Sequence, residues 1–429
     1  MLIEFDLKMN FQLSTRNVEV LNKAEELLST LNVGNRLLEL KKSFLVSFIV
    51  NLKKLIPNQV LIVQRNKQWY AKRPPEYSAN YQTYAIARAV LDELVRGEFL
   101  NVRRATRKVT TTGYTPTEKF LDIIRFVNED EVFTLRPPNL IILRKFNTTI
   151  KKNMGVTYRS TPTIAQMKLD IENYSDVREN HIVSVKALPP DLFYEHSKSL
   201  QFFSKINFVN LTSTGGTFDI PIRITYLSRI FNESFNNGGR YYRGVESNIP
   251  KVLRKYFHIN GNPTIELDYK AHHIRMLYNI RGKSLRRDPY AAEENITPEK
   301  REIYKIVSLI CLNTGNINIA CSAIRKELQE QNLSQYLPDT KNRTLINCFN
   351  NFINRNIEIK DDMFTSKYAK LTNLDSKISN KILLHFANKN ILVLCVHDSY
   401  IIEEQHQSEL RKIMMKEYKS VFGFNPVIP

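Results

Sequence analysis

Cysteine is scarce in this chain of 429 residues, and the few cysteines do not have the spacing of a metal site. No C-x-x-C pair occurs, and most of the positions fall in apolar or mixed segments with a helical or strand pattern. This arrangement argues against a zinc site or a disulfide framework and predicts reduced core residues in a cytoplasmic protein. The cysteines are Cys311, Cys321, Cys348 and Cys395.

Long apolar runs are missing as well. No apolar stretch is long enough to span a bilayer, so we expect no membrane association. The first residues, "MLIEFDLKMNF", alternate in polarity and include acids. They lack the basic start and the apolar centre of a secretory signal peptide.

Acidic residues are too few to balance the basic ones. Aspartate plus glutamate number 43 against 62 lysine plus arginine, which gives a formal net charge of +19. The basic residues are spread along the chain rather than held in one tail, which favours a nucleic-acid partner over a merely solvated basic surface. The hydrophobic content of 42% is ordinary for a folded soluble protein, and the length allows two or three domains.

Residues 1–150 have the pattern of a mainly helical region that ends in a basic hairpin. Apolar residues recur at helical spacing in "VEVLNKAEELLSTL", "LLELKKSFLVSFIVNLKKL" and "YAIARAVLDELVRGEF". The segment "LNVRRATRKVTTTGYTP" then predicts a basic strand and a turn that contains Gly113. A helix followed by such a wing resembles a winged-helix module whose cations contact phosphates, and a scaffold hairpin with solvated charges fits equally. The cations are Arg103, Arg104, Arg107 and Lys108.

Asp268 stands at the end of a predicted strand. The preceding "TIEL" alternates in polarity, and the following "AHHIRMLYNI" has a helical pattern. A carboxylate in this place either caps the next helix or faces a cleft, and the segment alone fits both.

A second acid lies between two apolar segments in "ILVLCVHDSYIIEE". The run before His397 predicts a buried strand and "SYIIEE" predicts another, so His397 and Asp398 would lie near the tip of a β-hairpin. An aspartate is common in a turn, but an unpaired carboxylate beside buried strands is costly. Two carboxylates on adjacent strands could instead hold two Mg²⁺ ions roughly 3.5–4 Å apart.

A basic helix is predicted in "ITPEKREIYKIVSLICLNTGN". Thr297 suits the N-cap and Pro298 the first helical position. Four residues spaced by four would lie along one face, and the two cations among them repel each other unless an anion such as a triphosphate is present. An ordinary solvated basic face is the alternative. The four residues are Arg301, Lys305, Leu309 and Asn313.

In chain order, these three segments resemble motifs A, B and C of the family A DNA polymerases and the related single-subunit phage-type RNA polymerases. Motif A, D-Y-S-Q-I-E-L-R, is similar to "DYKAHHIR" within residues 264–275, and motif B, R-x3-K-x3-F-x3-Y-G, corresponds by spacing to residues 297–315. Motif C, V-H-D-E or H-D-S, is similar to "VHDS" within residues 391–404. Two lesser similarities, in "GGRYYRGVESNIPKVLRKYF" and "RDPYAAEE", extend the resemblance over residues 239–404.

The alternation of strands and helices from about residue 186 onward predicts an α+β fold. The resemblance implies that residues 261–429 form a polymerase-type palm with an antiparallel sheet and helical fingers. Residues 151–260 would form a connector and a reduced thumb-like region that leads into the palm. The winged-helix-like region of residues 1–150 would precede both.

The resemblance also implies a role for each matching residue. Asp268 and Asp398 would bind the Mg²⁺ ions, or Mn²⁺ in their place, with help from the Tyr269 carbonyl. The incoming nucleotide would contact Arg301, Lys305, Tyr269, His273 and Asn313. Lys305 would in addition serve as a proton source for the leaving group. The primer–template would contact Arg240, Arg254 and His397.

Several positions depart from the family pattern. Leu309 and Asn313 replace the aromatic residues of motif B, and His273 replaces the motif A glutamate that excludes a 2′-hydroxyl. Ser399 follows the motif C aspartate, as it does in the RNA polymerases. These departures leave the choice of sugar open.

The combined features predict a template-dependent nucleotidyltransferase that uses nucleoside triphosphates and a DNA or RNA primer–template. DNA synthesis is favoured because "DYKAHHIR" is closer to the DNA polymerase form, and RNA polymerase or primase-like ribonucleotide incorporation is the alternative. A catalytically decayed nucleic-acid-binding protein and a metal nuclease are further alternatives. A phage, a plasmid or a defence system would each suit such a short enzyme.

Overall fold

Two apolar cores organise the chain, one near the N-terminus and one in the remainder. The computed structural model describes residues 6–11, 13–67, 70, 83–104, 112–128, 131–135, 137, 139–149, 152–204, 216–223 and 226–429. Helices and strands occur in both cores, and the strand pairs are mainly antiparallel, which confirms the predicted α+β class.

The described residues form helices and strands that are mixed along the chain. The helices are α1 Val18–Thr30, α2 Leu38–Lys53, α3 Tyr84–Arg96, α4 Glu118–Ile124, α5 Pro162–Glu179, α6 Pro190–Phe203, α7 Val245–Asn248, α8 Lys251–Arg254, α9 His272–Ile280, α10 Pro298–Asn313, α11 Ile317–Glu330, α12 Asn342–Arg355, α13 Tyr368–Ala387 and α14 Gln407–Phe422. The strands are β1 Leu7–Lys8, β2 Leu13–Thr15, β3 Leu61–Ile62, β4 Leu100–Arg103, β5 Gly113–Pro116, β6 Val132–Thr134, β7 Ile141–Asn147, β8 Lys152–Val156, β9 Val183–Leu188, β10 Phe218–Ile222, β11 Ser228–Asn232, β12 Ser234–Tyr242, β13 Phe257–Ile259, β14 Asn262–Asp268, β15 Leu394–Val396 and β16 Ser399–Glu403.

The first core is built around α2, which is apolar on nearly all sides. Its segment "FLVSFIVNL" is buried at every position, because α1, α3, α4 and β2 all pack against it. The ring of Phe48 stacks on Phe44 and meets Tyr114 of β5 edge-on. A sheet in the order β1-β3-β5-β4 belongs to this core. The helices predicted from apolar spacing in this region are therefore confirmed.

Gly113 is needed for packing rather than for a turn. It is the first residue of β5, and a Cβ added there would approach the Val60 side chain to 2.2 Å. The prediction that Gly113 belongs to a turn was wrong, because its lack of a side chain serves the close approach of β5 to Val60.

The second core contains a six-stranded sheet in the order β10-β9-β13-β14-β16-β15, and every strand pair in it is antiparallel. A smaller sheet in the order β12-β11-β7-β8 packs in the same core, with α13 against β12. Residues 151–260 supply β9, β10 and β13 to the same sheet as β14 to β16. The segment expected to be a connector thus shares its sheet with the segment that follows.

The strand β7 joins the second core, although its sequence position is within residues 1–150. Its apolar residues Ile141, Ile142 and Leu143 are buried, as the pattern of "NLIILRKF" predicts. The strand pairs in parallel with β11, so Ile141 lies opposite Arg229. The strand expected to close the N-terminal region therefore packs with the residues that follow it.

A buried polar junction connects the two cores. The ammonium of Lys54, at the end of α2, donates hydrogen bonds of 2.8 Å to the carbonyl oxygens of Gln201 and Ser204. Gln201 in turn bonds the side chain of Gln59. Because buried polar groups need partners, these contacts fix how the two cores meet.

A buried ion pair lies inside the second core. Arg178 of α5 donates two hydrogen bonds to Glu246 of α7, at 2.9 and 3.0 Å, and the side chains are only 1% and 0% exposed. Arg178 also contacts the hydroxyl of Tyr174, which donates to the carbonyl oxygen of Val393 just before β15. The pair therefore ties α5 and α7 to the strand that leads to His397.

All four cysteine thiols are buried and unbridged, which confirms the prediction of core residues. Burial raises the pKa of the Cys348 thiol to about 11, so this thiol is protonated at neutral pH. Within the part of the chain that the structure describes, none of the helices has the length and apolar character needed to cross a bilayer.

Candidate functional site

The segment around Asp398 forms the β-hairpin predicted from the sequence. Strands β15 and β16 are antiparallel, and Val396 pairs with Ser399, so His397 and Asp398 alone make the connection. His397 has a φ of 61°, in the left-handed region that short hairpin turns require and that side chains other than glycine seldom adopt. This tight turn fixes the place of Asp398 at the end of the sheet.

Asp268 and Asp398 lie side by side at that end of the sheet. Asp268 is the last residue of β14 and pairs directly with Ser399 of β16. The backbone N–H of Tyr269 donates to the carbonyl oxygen of Asp398 at 3.3 Å. The side chain of Asp398 is 35% exposed, so a ligand can reach it from solvent. Residues 130 positions apart in sequence thus form an accessible acidic pair.

The oxygen atoms at this acidic pair are of the kind that can bind Mg²⁺ together with the phosphates of a substrate. Among the described residues, no group of three or more His, Cys, Asp or Glu side chains could hold a metal. Mg²⁺ nevertheless keeps several water ligands and is commonly bound by one or two carboxylates together with substrate phosphates. Asp268, Asp398 and the nearby Tyr269 carbonyl could supply oxygen ligands of this kind.

Behind the acidic pair lies a buried network centred on Asp375, which the sequence motifs did not reveal. Asp375, in α13, is fully buried and accepts hydrogen bonds from the Nε of Arg240 and from His272 at 3.0 Å. Burial alone would raise the pKa of Asp375, but Arg240 and His272 hold it well below its ordinary value. One sequence signal could have revealed Asp375: this acid lies on the same face of its helix as the apolar residues Leu371 and Ile378.

Arg240 connects this network to the acidic pair. Its side chain is buried, and its Nη2 lies 3.9 Å from Oδ1 of Asp398. The same Nη2 donates to the Nε2 of His273 at 3.2 Å. Because a guanidinium only donates, His273 must accept this bond with an unprotonated nitrogen. Arg240 was predicted to contact the primer–template, and its described contacts are with Asp375, Asp398, His273 and Tyr368.

His273 is held as a neutral ring. Burial lowers its pKa well below the ordinary value, and the charge of Arg240 lowers it further. The ring edge of His273 also meets the ring of Tyr368 at 5.0 Å between centroids. At neutral pH this side chain therefore offers an uncharged surface close to Asp398.

His397 belongs to the same cluster. Burial lowers the pKa of His397, with Arg240 adding to the effect and Asp398 opposing it. The ring of Tyr242, which is 37% exposed, meets the His397 ring at 5.6 Å in an edge-to-face arrangement. An exposed aromatic surface therefore lies next to the hairpin turn.

Arg254, the other residue predicted to contact nucleic acid, lies on the face of the sheet near Asp268. Its Nη1 donates to Oε1 of Glu266 at 2.9 Å, and the hydroxyl of Ser399 donates to the same oxygen. The side chain of Ser399 is thus turned toward Glu266.

The helix α10 carries the predicted stripe of residues on its exposed side. Thr297 caps the helix by accepting from the N–H of Lys300, and Pro298 occupies the first turn, as predicted. All residues of the stripe are exposed or partly exposed, and Leu309 is 47% exposed. The members are Arg301, Lys305, Leu309 and Asn313.

Tyr290 packs against Arg301 of α10. The guanidinium of Arg301 lies 5.3 Å from the centre of the Tyr290 ring and pairs with Asp288. The pKa of Tyr290 is raised to about 12, mainly by burial; hydrogen bonding to Ser308 and the charge of Arg301 oppose the rise, whereas Asp288 and Asp398 add to it. Arg301 and Asp398 therefore act on the same hydroxyl group, from the helix and from the hairpin.

The basic hairpin of the first core is described only in part. The strands β4 and β5 pair antiparallel after α3, which both a winged-helix module and a scaffold hairpin would require. Arg103 forms an ion pair with Asp6, and Arg104 is exposed. Arg107 and Lys108 lie outside the described residues.

No protein-family model matches this sequence, and no curated protein is significantly similar to it.

Proposed function

We propose that the protein is a template-dependent nucleotidyltransferase with a polymerase-type palm, and that DNA synthesis is its main activity. The observation that carries the proposal is the juxtaposition of Asp268, the last residue of β14, and Asp398, in the turn of the hairpin that pairs with β14. The motif resemblance and the net charge of +19 support it independently. Bound Mg²⁺ would activate a primer 3′-hydroxyl and neutralise charge on the leaving pyrophosphate.

In this proposal the protein's own residues bind and orient the two substrates. Arg301 and Lys305 bind the triphosphate, and Lys305 donates a proton to the pyrophosphate as it leaves. Arg301 and Lys305 are paired with Asp288 and Glu302 in the structure, so the triphosphate would displace those carboxylates. Tyr269, His273 and Asn313 would line the nucleotide site. Arg240, Arg254 and His397 would hold the primer–template near Asp398.

The direct test is primer extension with a labelled primer–template, Mg²⁺ and either deoxynucleotides or ribonucleotides, with pyrophosphate release as a second readout. We expect primer elongation that depends on metal, template and nucleotide. Absence of both elongation and pyrophosphate release on DNA and RNA templates would contradict the proposal.

Arg301→Ala is expected to raise KM for the nucleotide by about tenfold, because a charge-assisted phosphate contact is lost. Steady-state incorporation over a range of nucleotide concentrations measures the effect. Lys300→Ala is a matched control, since Lys300 lies on the same helix but pairs with Glu293. An equal rise of KM in both variants would contradict a specific contact from Arg301.

Ribonucleotide incorporation remains the alternative activity, and His273 gives a way to test it. Restoring the motif A glutamate, in His273→Glu, is expected to lower the ratio of ribonucleotide to deoxynucleotide incorporation by roughly tenfold, because the resemblance implies that this glutamate excludes a 2′-hydroxyl. The ratio of the two kcat/KM values is the measurement. His273→Gln keeps a neutral acceptor for Arg240 and should leave the ratio near that of the wild type. An unchanged ratio in His273→Glu would remove His273 from sugar selection.

A second candidate is a nucleic-acid-binding protein on a catalytically decayed palm. One observation favours it: Asn313 donates its amide to the carbonyl of Leu309 on its own helix, where the polymerases carry aromatic residues. This candidate predicts salt-dependent nucleic-acid binding without pyrophosphate release. The primer-extension experiment separates the two.

A further inference from the structure

A cavity of about 500 Å³, whose lining includes neither Asp268 nor Asp398, lies between the loop that follows α9 and the segment that follows α14. This volume is within the range of small-molecule sites. Arg286 and Lys419 line it together with the ring of Phe424. The hydroxyl of Ser284 and the amide of Asn425 add hydrogen-bonding groups. The lining therefore combines cations, an aromatic ring and neutral polar groups.

The charge of this cavity is not balanced by protein groups. None of its described lining residues is acidic, and neither Arg286 nor Lys419 forms an ion pair with any residue that the structure describes. The cations of α10 differ in this respect, because Arg301 and Lys305 are each paired with a carboxylate. Two cations that line one cavity and have no carboxylate partner among the described residues favour an anionic ligand such as a phosphate group.

The walls of the cavity are held in place by hydrogen bonds to α9 and its N-terminal neighbour. Arg275 donates to the carbonyl oxygens of Leu285, in one wall, and Lys270. The N–H of Lys270 donates to the carbonyl oxygen of Val427, in the opposite wall, at 2.9 Å. The cavity is thus preformed, and its walls are linked to the segment that begins at Asp268.

The apolar part of the lining suits a nucleobase. Phe424 is partly exposed, and Leu285 and Val427 extend the apolar surface beside it. A base that stacks on an aromatic side chain gains affinity whatever its identity, because every base has a π-face. The amide of Asn425 can both donate to and accept from a base edge.

We propose that this cavity binds a nucleotide unit, with its phosphate on Arg286 and Lys419 and its base on Phe424. The ligand is either a free nucleoside triphosphate or one nucleotide of a single strand, since both present the same groups. The proposal does not depend on catalysis at Asp268 and Asp398.

The test is isothermal titration calorimetry of the full chain with ATP, with oligothymidylate and with inorganic pyrophosphate, in EDTA. Omitting divalent metal keeps the acidic pair from contributing. The double variant Arg286→Ala/Lys419→Ala is expected to bind ATP or oligothymidylate at least about tenfold more weakly than wild type. Lys283→Ala, an exposed cation in the same loop that does not line the cavity, should bind as wild type does. Equal affinity in the double variant and in Lys283→Ala would overturn the proposal.

A second variant tests the nucleobase separately from the phosphate. Phe424→Leu is expected to keep pyrophosphate binding and to weaken nucleotide binding severalfold, because stacking is lost. Weaker binding of ATP in this variant would identify a free nucleoside triphosphate as the ligand. Weaker binding of oligothymidylate would identify one nucleotide of a single strand. Unchanged binding of both in Phe424→Leu would reduce the cavity to an anion site and contradict a nucleotide. Neither Arg286, Lys419 nor Phe424 belongs to the proposed catalytic site, so loss of ligand binding in these variants would stand even if primer extension failed.

Discussion

Asp398→Asn is expected to reduce nucleotide incorporation by at least about 10³-fold, because a metal–oxygen interaction worth several kcal/mol in the transition state is lost. Asparagine keeps the size of the side chain and one oxygen, but it removes the charge that would hold Mg²⁺. The measurement is the single-turnover rate of primer extension with saturating nucleotide and Mg²⁺. Incorporation at the wild-type rate would exclude Asp398 as a metal ligand.

The fold should survive this substitution, which makes the loss of activity interpretable. Asp398 is 35% exposed, and its cationic neighbour Arg240 keeps its hydrogen bond to Asp375. The melting temperature of the variant is therefore expected to stay close to that of the wild type. Asp361→Asn is the matched control, since Asp361 is 68% exposed and pairs only with Arg281 among the described residues. It should leave both activity and stability unchanged.

The two aspartates are expected to act as one unit. Asp268→Asn alone should cost about as much activity as Asp398→Asn, and the double variant should fall little further, because either change removes the same ion site. Additive losses would instead indicate two independent roles.

The metal-nuclease alternative is tested by incubating labelled DNA with Mg²⁺ and no nucleotide, with the wild type and Asp398→Asn side by side. Cleavage of the DNA by the wild type alone would replace the polymerase proposal.

The parts of the site that the sequence predicted are those set by local patterns. The apolar run before His397 and the alternation of "SYIIEE" specify two strands, and the short connection between them leaves only a hairpin. Thr297 and Pro298 likewise define the start of α10 without any tertiary information. Both features depend on residues that are neighbours in the chain, so periodicity and capping rules were sufficient.

The parts that the sequence did not reveal depend on distant residues. Asp375 meets Arg240 and His272, which lie 135 and 103 positions away, and nothing in its own helix pattern names those partners. Gly113 similarly owes its identity to contact with Val60, which lies just before β3. The strand β7 was predicted as a strand, but its parallel pairing with β11 decides which core it joins. In each case the outcome depends on contacts between residues that are far apart in the sequence, which local patterns do not show.

Arg178→Met is expected to lower the free energy of unfolding of the second core by about 3–5 kcal/mol, because it leaves the carboxylate of Glu246 buried without a counter-ion. Glu246 is 0% exposed and cannot turn toward water. A Cβ added at Gly244 would lie 2.3 Å from the Glu246 carboxylate, which shows how little space surrounds it. Urea unfolding, followed by far-UV circular dichroism, measures the shift of the transition.

The double variant Arg178→Met/Glu246→Leu distinguishes the cost of an unpaired charge from the loss of a favourable pair. Removing both charges leaves apolar side chains of similar size, so most of the lost stability should return. Lys23→Met on α1 is the exposed control, since its partner Glu26 is 66% exposed and solvent screens the pair. If the double variant is as unstable as Arg178→Met, the ion pair itself stabilises the core. The hydrogen bonds from Arg178 to Tyr174 and from Tyr174 to Val393 would then help to hold β15 in place. If stability returns but nucleotide incorporation does not, the ion pair serves to position the hairpin that carries Asp398 rather than to stabilise the fold.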